Sequence, residues 1–593
     1  MNIETMETHS FDVLVLGSGG AGLRAAVEAA SGGGLSVAVI GKSLLGKAHT
    51  VMAEGGAAAS IGNVDSLDSW QTHFYDTMKS GHYINNFRTV EVFAKEAAAR
   101  VLELEQWGAV FDRTPEGLIM QRAFGGHSFR RLAHIGDRTG MELLRTLQYK
   151  AISMDISIFQ EVTITRLLMD KDRIAGAFGY YRADGHFVVF KAKAVVLATG
   201  GWGKVYKVTS NSWESTGDGA AMAYRIGAEL QDMEMVQFHP TGMVWPPGVA
   251  GLLVTEGVRG EGGILYNSEK ERFMLRYDPE RQELSTRDVV ARSIFKEVQA
   301  GRGTPHGGAW LDISHKGADF IKRKLPGMYE QLLTLGDVDI TKSPFEVAPT
   351  CHYTMGGVKA HAETCATNIP GLFAAGEVAC GLHGANRLGG NSLADILVFG
   401  RRAGIAARDF AGSRKGEVSI PESQIEEEVT RVLEPFNRPN GENPYTIHEE
   451  LQAVMSTHAG IVRDQQTLEE GLEKVLKLQE RAKNMGAQGG RAYNPGWHAV
   501  FDVENMLTLS ELIIRGALER KESRGAHWRT DYPDELEEMG KWNFVHEYSP
   551  DGDRIKQVPV PTMPPALQEI CARPVAPGRE ASDKPNQRKG ASS

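Results

Sequence analysis

Five of the six residues of FDVLVL at Phe11–Leu16 are apolar, all but Asp12, and they set the pattern at the head of the chain, where glycines follow at once. A short, continuous apolar run bounded this way predicts a strand buried on both faces. Next comes GSGGAG, holding Gly17, Gly19, Gly20, Ala21 and Gly22, then LRAAVEAA, whose apolar positions recur at helical spacing. Strand, GxGxxG and helix form a dinucleotide-binding turn. Its first glycine permits the bend, its second lets backbone N–H groups reach a pyrophosphate, and its third lets helix and strand pack closely. A second strand, SVAVI at Ser36–Ile40, ends in Gly41, Lys42 and Ser43, where an acid that holds an adenosine ribose would stand. This departure counts against a plain NAD-binding domain.

Residues 66–108 carry helical apolar spacing. AVVLATGG at Ala194–Gly201, with Thr199 and Gly200, reads as another buried strand ending in glycines, and Thr216-Gly217-Asp218-Gly219 opens the helix AAMAYRIGAEL. An aspartate at such a place acts first as a cap. From about Gly242 to Pro349 the rhythm gives way to Pro246-Pro247, mixed short elements and glycine-rich turns, which predicts an inserted capping domain. The rhythm resumes at Ile369 with a strand, the Gly376-Glu377 pair, a loop, and a helix from about Ser392 and Leu393 whose N-terminus suits an anion. From Pro421 to Glu522 the spacing is helical, enough for about three to five packed helices. Beyond roughly Glu547, proline, lysine and serine dominate, and the end is expected to be disordered or to lie along a partner. The predicted architecture is α/β. A Rossmann-like dinucleotide-binding domain occupies 1–241 and 350–420, an inserted α+β capping domain 242–349, a helical domain 421–530, and an irregular C-terminal region 531–593.

At 593 residues the chain exceeds one hydrophobic core, so about two to four domains are expected. Its 67 glycines are not periodic and point to tight turns and close backbone approaches to a ligand. A net charge of -10 and a pI near 6.0 argue against nucleic acid as a partner. The cysteines, Cys351, Cys365, Cys380 and Cys571, make no CxxC and no metal or iron–sulfur spacing, and fit a reducing compartment. No apolar run approaches the roughly 18 residues of a membrane span. The N-terminus lacks an Arg-rich presequence and reads as that of a bacterial or archaeal chain used without import.

His49 stands in GKSLLGKAHTVMAEGG (Gly41–Gly56), soon after the nucleotide-binding turn. HTVMAEGG resembles the HTVxAxGG segment of the flavoprotein subunit of succinate dehydrogenases and fumarate reductases. Further segments in order extend the resemblance: QFHPTG with His239, TEGVRGEGGIL with Thr255, Glu256 and Arg259, STRDVVARS with Arg287, HYTMGGV with His352, NRLGGNSL with Arg387 and Gly390, and ESRGAHWRTDYP at Glu522–Pro533. Singly, each Arg or His reads as a loop or salt-bridge residue; together they cover Phe11 to Pro533. The resemblance implies FAD, carried covalently on His49. It places Gly17, Gly19, Gly20, Ala21, Gly22, Lys42, Ser43, Thr50, Ala53, Gly55, Gly56, Thr199, Gly200, Asp218, Gly376, Glu377, Arg387, Ser392 and Leu393 at the cofactor. It likewise implies a dicarboxylate held by Gly56, Phe124, His239, Thr255, Glu256, His352, Arg387 and Gly390, although Phe124 beside its Gly-Gly pair also reads as plain core packing.

The chemistry explains these residue types. Interconverting succinate and fumarate moves a hydride between a substrate carbon and the flavin, and a proton at the neighbouring carbon. The dianion must be clamped at both carboxylates. Arg387 suits this through its planar fork, and His239, His352 and Thr255 can donate further hydrogen bonds. Arginine is a poor general base in water, its pKa lying above about 12. Residue chemistry alone therefore favours His239 or His352 as the proton partner. The resemblance implies Arg287 instead, with Glu256 and Arg259 as a relay. A histidyl bond at His49 makes the flavin a stronger oxidant and implies succinate oxidation in a quinone-linked complex. Lacking cluster-binding cysteines and a membrane span, the chain would need an iron–sulfur subunit, and through it a membrane anchor and the quinone pool, at the cytoplasmic face of the cell membrane. A quinol-dependent fumarate reductase would use the same residues. L-aspartate oxidase shares the fold but binds FAD noncovalently. A non-catalytic FAD-bearing subunit would have lost Arg287, His352 or Arg387, and an NAD(P)H disulfide reductase would need a CxxC.

Overall fold

The computed structural model describes residues 6–438 and 440–572. Its central sheet has seven strands. Glu7–Leu16 lies in the middle, parallel to Val37–Ile40 on one side and to Phe187–Leu197 on the other. Ser157–Phe159 extends the first edge, while Arg173–Tyr181 and Val162–Asp170 add antiparallel strands beyond the second. Leu372–Ala374 joins Phe187–Leu197 in parallel. Side chains alternate between two cores. Leu14, Leu16, Val195 and Leu197 enter one; Val13, Val15, Ala194 and Val196 enter the other. Both faces are covered, so the apolar run is continuous rather than alternating.

The helices Gly20–Ala30, Phe87–Gln106, Thr139–Ser153 and Asn391–Ser413 cover one face. The first and last of these cross closely. A Cβ at Gly400 would come within 2.7 Å of the Ala21 carbonyl oxygen, and one at Gly404 within 2.2 Å of that of Ala25. The other face meets a helical domain of Glu422–Leu433, Pro444–His458, Gln465–Ala482 and Pro495–Glu519. Asn443, Asp464 and Asn494 each accept a backbone N–H at the start of one of these helices.

The cap is built on an antiparallel sheet ordered Val236–Met243, Phe345–Thr354, Ala309–Asp312 and Ile264–Tyr266, with its own core around Val254, Val258, Leu311 and Val347. The expected limits of 242 and 349 fall inside its first two strands. A change of sequence rhythm does not mark a boundary that a strand crosses unbroken.

The irregular region expected over 531–593 contains regular elements between 542 and 572. Trp542–Ser549 and Gly552–Pro559 form a hairpin whose first strand pairs with Leu230–Gln231, and Pro565–Ala572 is a helix. Pro559 ends an edge strand and Pro565 opens a helix, positions where a missing N–H is tolerated. The expectation of disorder falls on 573–593, outside the described residues.

Arg520 and the segment ESRGAHWRTDYP that starts two residues later secure this joint. The fully buried Arg520 reaches Glu234 at 2.6 Å and Asp232 and Glu522 at 3.2 Å, while Arg524 holds Glu522 at 2.7 Å. Removing the Arg520 cation would leave buried carboxylates short of a partner. Arg520→Met is expected to cost about 3–5 kcal/mol, seen as a lower thermal unfolding midpoint. An unchanged midpoint would mean that these carboxylates are hydrated rather than dependent on the arginine.

Candidate active site

At the C-terminal ends of the parallel strands, the 17–21 turn, the 42–53 loop, the 198–200 turn and the start of the Asn391–Ser413 helix surround a groove of about 1390 Å³, its open mouth included. Of the residues implied for FAD, Gly17, Gly19, Gly20, Ala21, Lys42, Ser43, His49, Thr50, Ala53, Thr199, Gly200, Asp218, Glu377, Ser392 and Leu393 line it. Gly22, Gly55, Gly56, Gly376 and Arg387 do not line it. Gly17 has φ +116°, and a Cβ there would lie 2.2 Å from the Ala198 carbonyl oxygen. One at Gly22 would lie 1.8 Å from the Gly17 oxygen, so the turn closes backbone on backbone. The backbone of this turn, which lines the groove, and the buried Thr199 hydroxyl, which has no partner among the described residues, fit a dinucleotide's phosphates and hydroxyls.

Two groove residues have clear electrostatic settings. Lys42 Nζ meets Asp218 at 2.9 Å and Asp502 at 2.5 Å and donates to Thr216 at 2.9 Å. The lysine is thus matched by carboxylates from two other elements. His49 opens the short turn His49–Met52, and the Ser212 N–H donates to its Nδ1 at 3.3 Å. Burial, and then the nearby Arg387 charge, lower its pKa to about 4. Near pH 7 the ring is neutral.

Beside the groove, separate elements deliver the substrate-binding candidates to one chamber. Val236–Met243 brings His239 and Phe345–Thr354 brings His352, with ring centroids 5.2 Å apart. Thr255 caps the turn Glu256–Gly260, and Arg287 opens the helix Arg287–Glu297. Glu256 accepts from Arg287 Nε at 2.9 Å and from the Gly125 N–H at 2.7 Å, with Arg259 Nη2 3.6 Å away. Arg259 also donates to the Glu283 carbonyl, and its buried Nε and Nη2 have no hydrogen-bond partner among the described residues. Arg387 donates to Gln237 at 3.2 Å and Ser392 at 2.8 Å and lies 4.5 Å over the Tyr353 ring. The Phe124 ring fits between Gly55 and Gly389, where added Cβ atoms would come within 2.7 and 2.6 Å of it. Gly56 and Gly390 abut, the Gly390 carbonyl accepting the Ala58 N–H at 3.0 Å.

Burial opposes ionisation of Glu256, but Arg259 and Arg287 outweigh it and hold the carboxyl below its usual range. Burial and then Arg287 drive His239 and His352 well below the usual histidine range. Burial, then Arg287, lower Arg387 to about 9, so it stays charged near neutrality. Three guanidinium groups therefore gather about the Glu256 carboxylate among neutral histidines, and positive charge remains in excess there, a setting suited to an anion.

The His239 Nε2 lies 3.0 Å from both the Val254 carbonyl oxygen and the Thr241 hydroxyl, and its buried Nδ1 has no partner among the described residues. With Nε2 donating to Val254, Nδ1 is an acceptor; with the Thr241 hydroxyl donating to Nε2, the neutral ring donates from Nδ1. At His352 the Ser210 hydroxyl lies 2.8 Å from Nδ1. With that hydroxyl donating, the ring proton sits on Nε2.

Sequence reasoning passed over several residues. Gln237 and Tyr353 lie within QFHPTG and HYTMGGV, beside the histidines, and the two-residue strand period was the available signal for Gln237. Glu54, inside HTVMAEGG, is a buried carboxyl pushed well above its usual range by burial and by Asp137. Asp502 sits far along the chain on the Pro495–Glu519 helix and carried no signal.

Residues 12–393 match the FAD binding domain family, and residues 448–568 match the fumarate reductase flavoprotein C-terminal family. The chain is 47% identical over 530 residues to a fumarate reductase (CoM/CoB) subunit of Methanothermobacter marburgensis, covering 89% of this chain and 95% of that one. It is 39% identical over 553 residues to the succinate dehydrogenase flavoprotein subunit of Coxiella burnetii, covering 89% and 93%. The solved structure of Mycobacterium smegmatis Sdh1 in complex with UQ1 superposes with a TM-score of 0.87 at 52% identity, over 94% of this chain and 96% of that chain. With both matched domains in the expected order and relatives aligned along most of their length, the chain belongs to the succinate dehydrogenase/fumarate reductase flavoprotein subunit family.

Proposed function

We propose that this subunit interconverts succinate and fumarate, with succinate oxidation as its working direction. The observation that carries the reading is the buried chamber in which Arg259, Arg287 and Arg387 gather about Glu256, sharing His352 and Ser392 with the cofactor groove. FAD, bound by the groove residues and bonded to His49, would supply the two-electron hydride exchange. Arg387 grips one substrate carboxylate, and Thr255, His352 and His239 donate to the other. Arg287 exchanges the proton at the neighbouring carbon, and Glu256 and Arg259 restore it. Among the described residues no helix is long and apolar enough to cross a membrane, and no His, Cys, Asp or Glu group could hold a metal ion. In the proposed assembly the electrons pass to a separate iron–sulfur subunit, and through a membrane anchor to quinone, on the cytoplasmic side. The Mycobacterium smegmatis relative solved with UQ1 supports that link.

The Methanothermobacter relative, named a fumarate reductase, favours the reverse direction as a second reading. The test compares succinate-dependent dye reduction with fumarate-dependent dye oxidation in protein from its native source. A faster succinate reaction is expected. Fumarate activity alone would select the second reading. Aspartate-dependent peroxide formation without either activity would overturn both in favour of L-aspartate oxidase.

A further inference from the structure

Gln237 is fully buried, and its amide meets four partners. Its Nε2 donates to Asn386 Oδ1 at 2.8 Å and to the Arg387 carbonyl at 2.7 Å. Its Oε1 accepts from Arg287 Nη1 at 3.3 Å and Arg387 Nε at 3.2 Å. The direction of this amide is dictated from outside. The Asp288 carboxylate, paired with Arg292 at 2.9 Å, is held below its usual range against the pull of burial, by Arg292 first, and so only accepts. Asn386 must therefore turn its NH₂ toward Asp288, where Nδ2 lies 2.9 Å from Oδ1. Its oxygen then faces Gln237, whose NH₂ must face Asn386, and the glutamine oxygen is left for the two arginines.

We propose that Gln237 is a positioning residue that spaces Arg287 and Arg387 without placing a negative charge between them. A neutral oxygen shared by two like-charged guanidinium groups fixes their relative placement. A carboxylate there would act as an internal counter-ion and compete with the substrate for the same donors. The Asp288–Asn386–Gln237 chain keeps that oxygen in place. This inference rests on the dicarboxylate reading of the chamber and assigns the preference for a dianion to a residue with no charge of its own.

The test uses the flavin-loaded protein, with malonate, a dicarboxylate that is not oxidised, and acetate as probes of binding through the flavin absorbance. Succinate KM and kcat are measured alongside. Gln237→Glu, nearly isosteric, is expected to weaken malonate binding and raise KM by roughly tenfold or more, and to weaken acetate binding less. Gln237→Leu, uncharged, is expected to leave malonate binding within about threefold and to lower kcat as the arginines lose their spacing. Flavin content and unfolding temperature establish that each variant is folded. If malonate binds Gln237→Glu as well as wild type, or if Gln237→Leu weakens malonate as much as Gln237→Glu does, the inference is wrong while the dicarboxylate reading stands. If wild type neither binds malonate nor turns over succinate, the reading fails and this inference with it.

Discussion

Arg287→Ala is expected to lower kcat for both directions by roughly 10²- to 10⁴-fold, the usual range for a lost proton-transfer group, with flavin content unchanged. The residue is buried and opens a helix, so its backbone is held independently of its side chain. Its Nε donates to Glu256 at 2.9 Å, and Glu256 is fixed in turn by the Gly125 N–H at 2.7 Å. That carboxylate is kept ionised against burial by Arg259 and Arg287. A proton delivered by Arg287 can therefore be recovered through a neighbour that is already charged and already bonded to it. Arg287→Lys would place a single point charge where a fork bonds Glu256 and Gln237 together, and is expected to recover little. Steady-state rates with an artificial electron acceptor separate this from a binding defect, because a loss confined to proton transfer falls on kcat more than on KM. If kcat stays within about threefold of wild type, the proton partner must be sought at His239 or His352, where residue chemistry alone first pointed.

His49→Ala is expected to remove all covalent flavin and most succinate oxidation while sparing fumarate reduction. In wild type, acid denaturation and electrophoresis should give a band with flavin fluorescence, and in the variant the band should be dark with FAD released. The ring is set up for bond formation. Ser212 donates to Nδ1 at 3.3 Å, leaving Nε2 as the nitrogen for a bond to carbon. Burial, then Arg387, hold the pKa at about 4, so the neutral form persists well into the acid range. The sign follows from this depression: protonation sets in only as pH falls through about 4. Attachment of added FAD to apoprotein should therefore be flat from pH 8 to about 5, whereas an ordinary histidine would be half protonated near 6.5. A dark wild-type band would remove His49 from the cofactor chemistry and raise L-aspartate oxidase or a soluble fumarate reductase.

Local demands on the chain were legible in the sequence. The apolar runs Val13–Leu16 and Ala194–Ala198 are continuous because both faces of their strands are buried, and Gly17 and Gly22 stand where any Cβ would strike backbone. Helical spacing located the helical domain and the helix that starts at Asn391. The candidates His239, Glu256, Arg287, His352 and Arg387 came from motifs, and the fold gathers them into one chamber. Other features were settled only by tertiary structure. The cap joins the dinucleotide-binding domain through unbroken strands, and the proline-rich end forms a hairpin on Leu230–Gln231. Lys42 finds Asp502, 460 positions away, and Gln237 is oriented by Asp288 through Asn386. The physical reason is one of range. Side-chain periodicity and glycine sterics are imposed within a few residues and leave their mark on the sequence. Ion pairs, amide orientation and the tautomer of His239 depend on atoms brought within about 3 Å by the fold, and no local pattern records which atoms those will be.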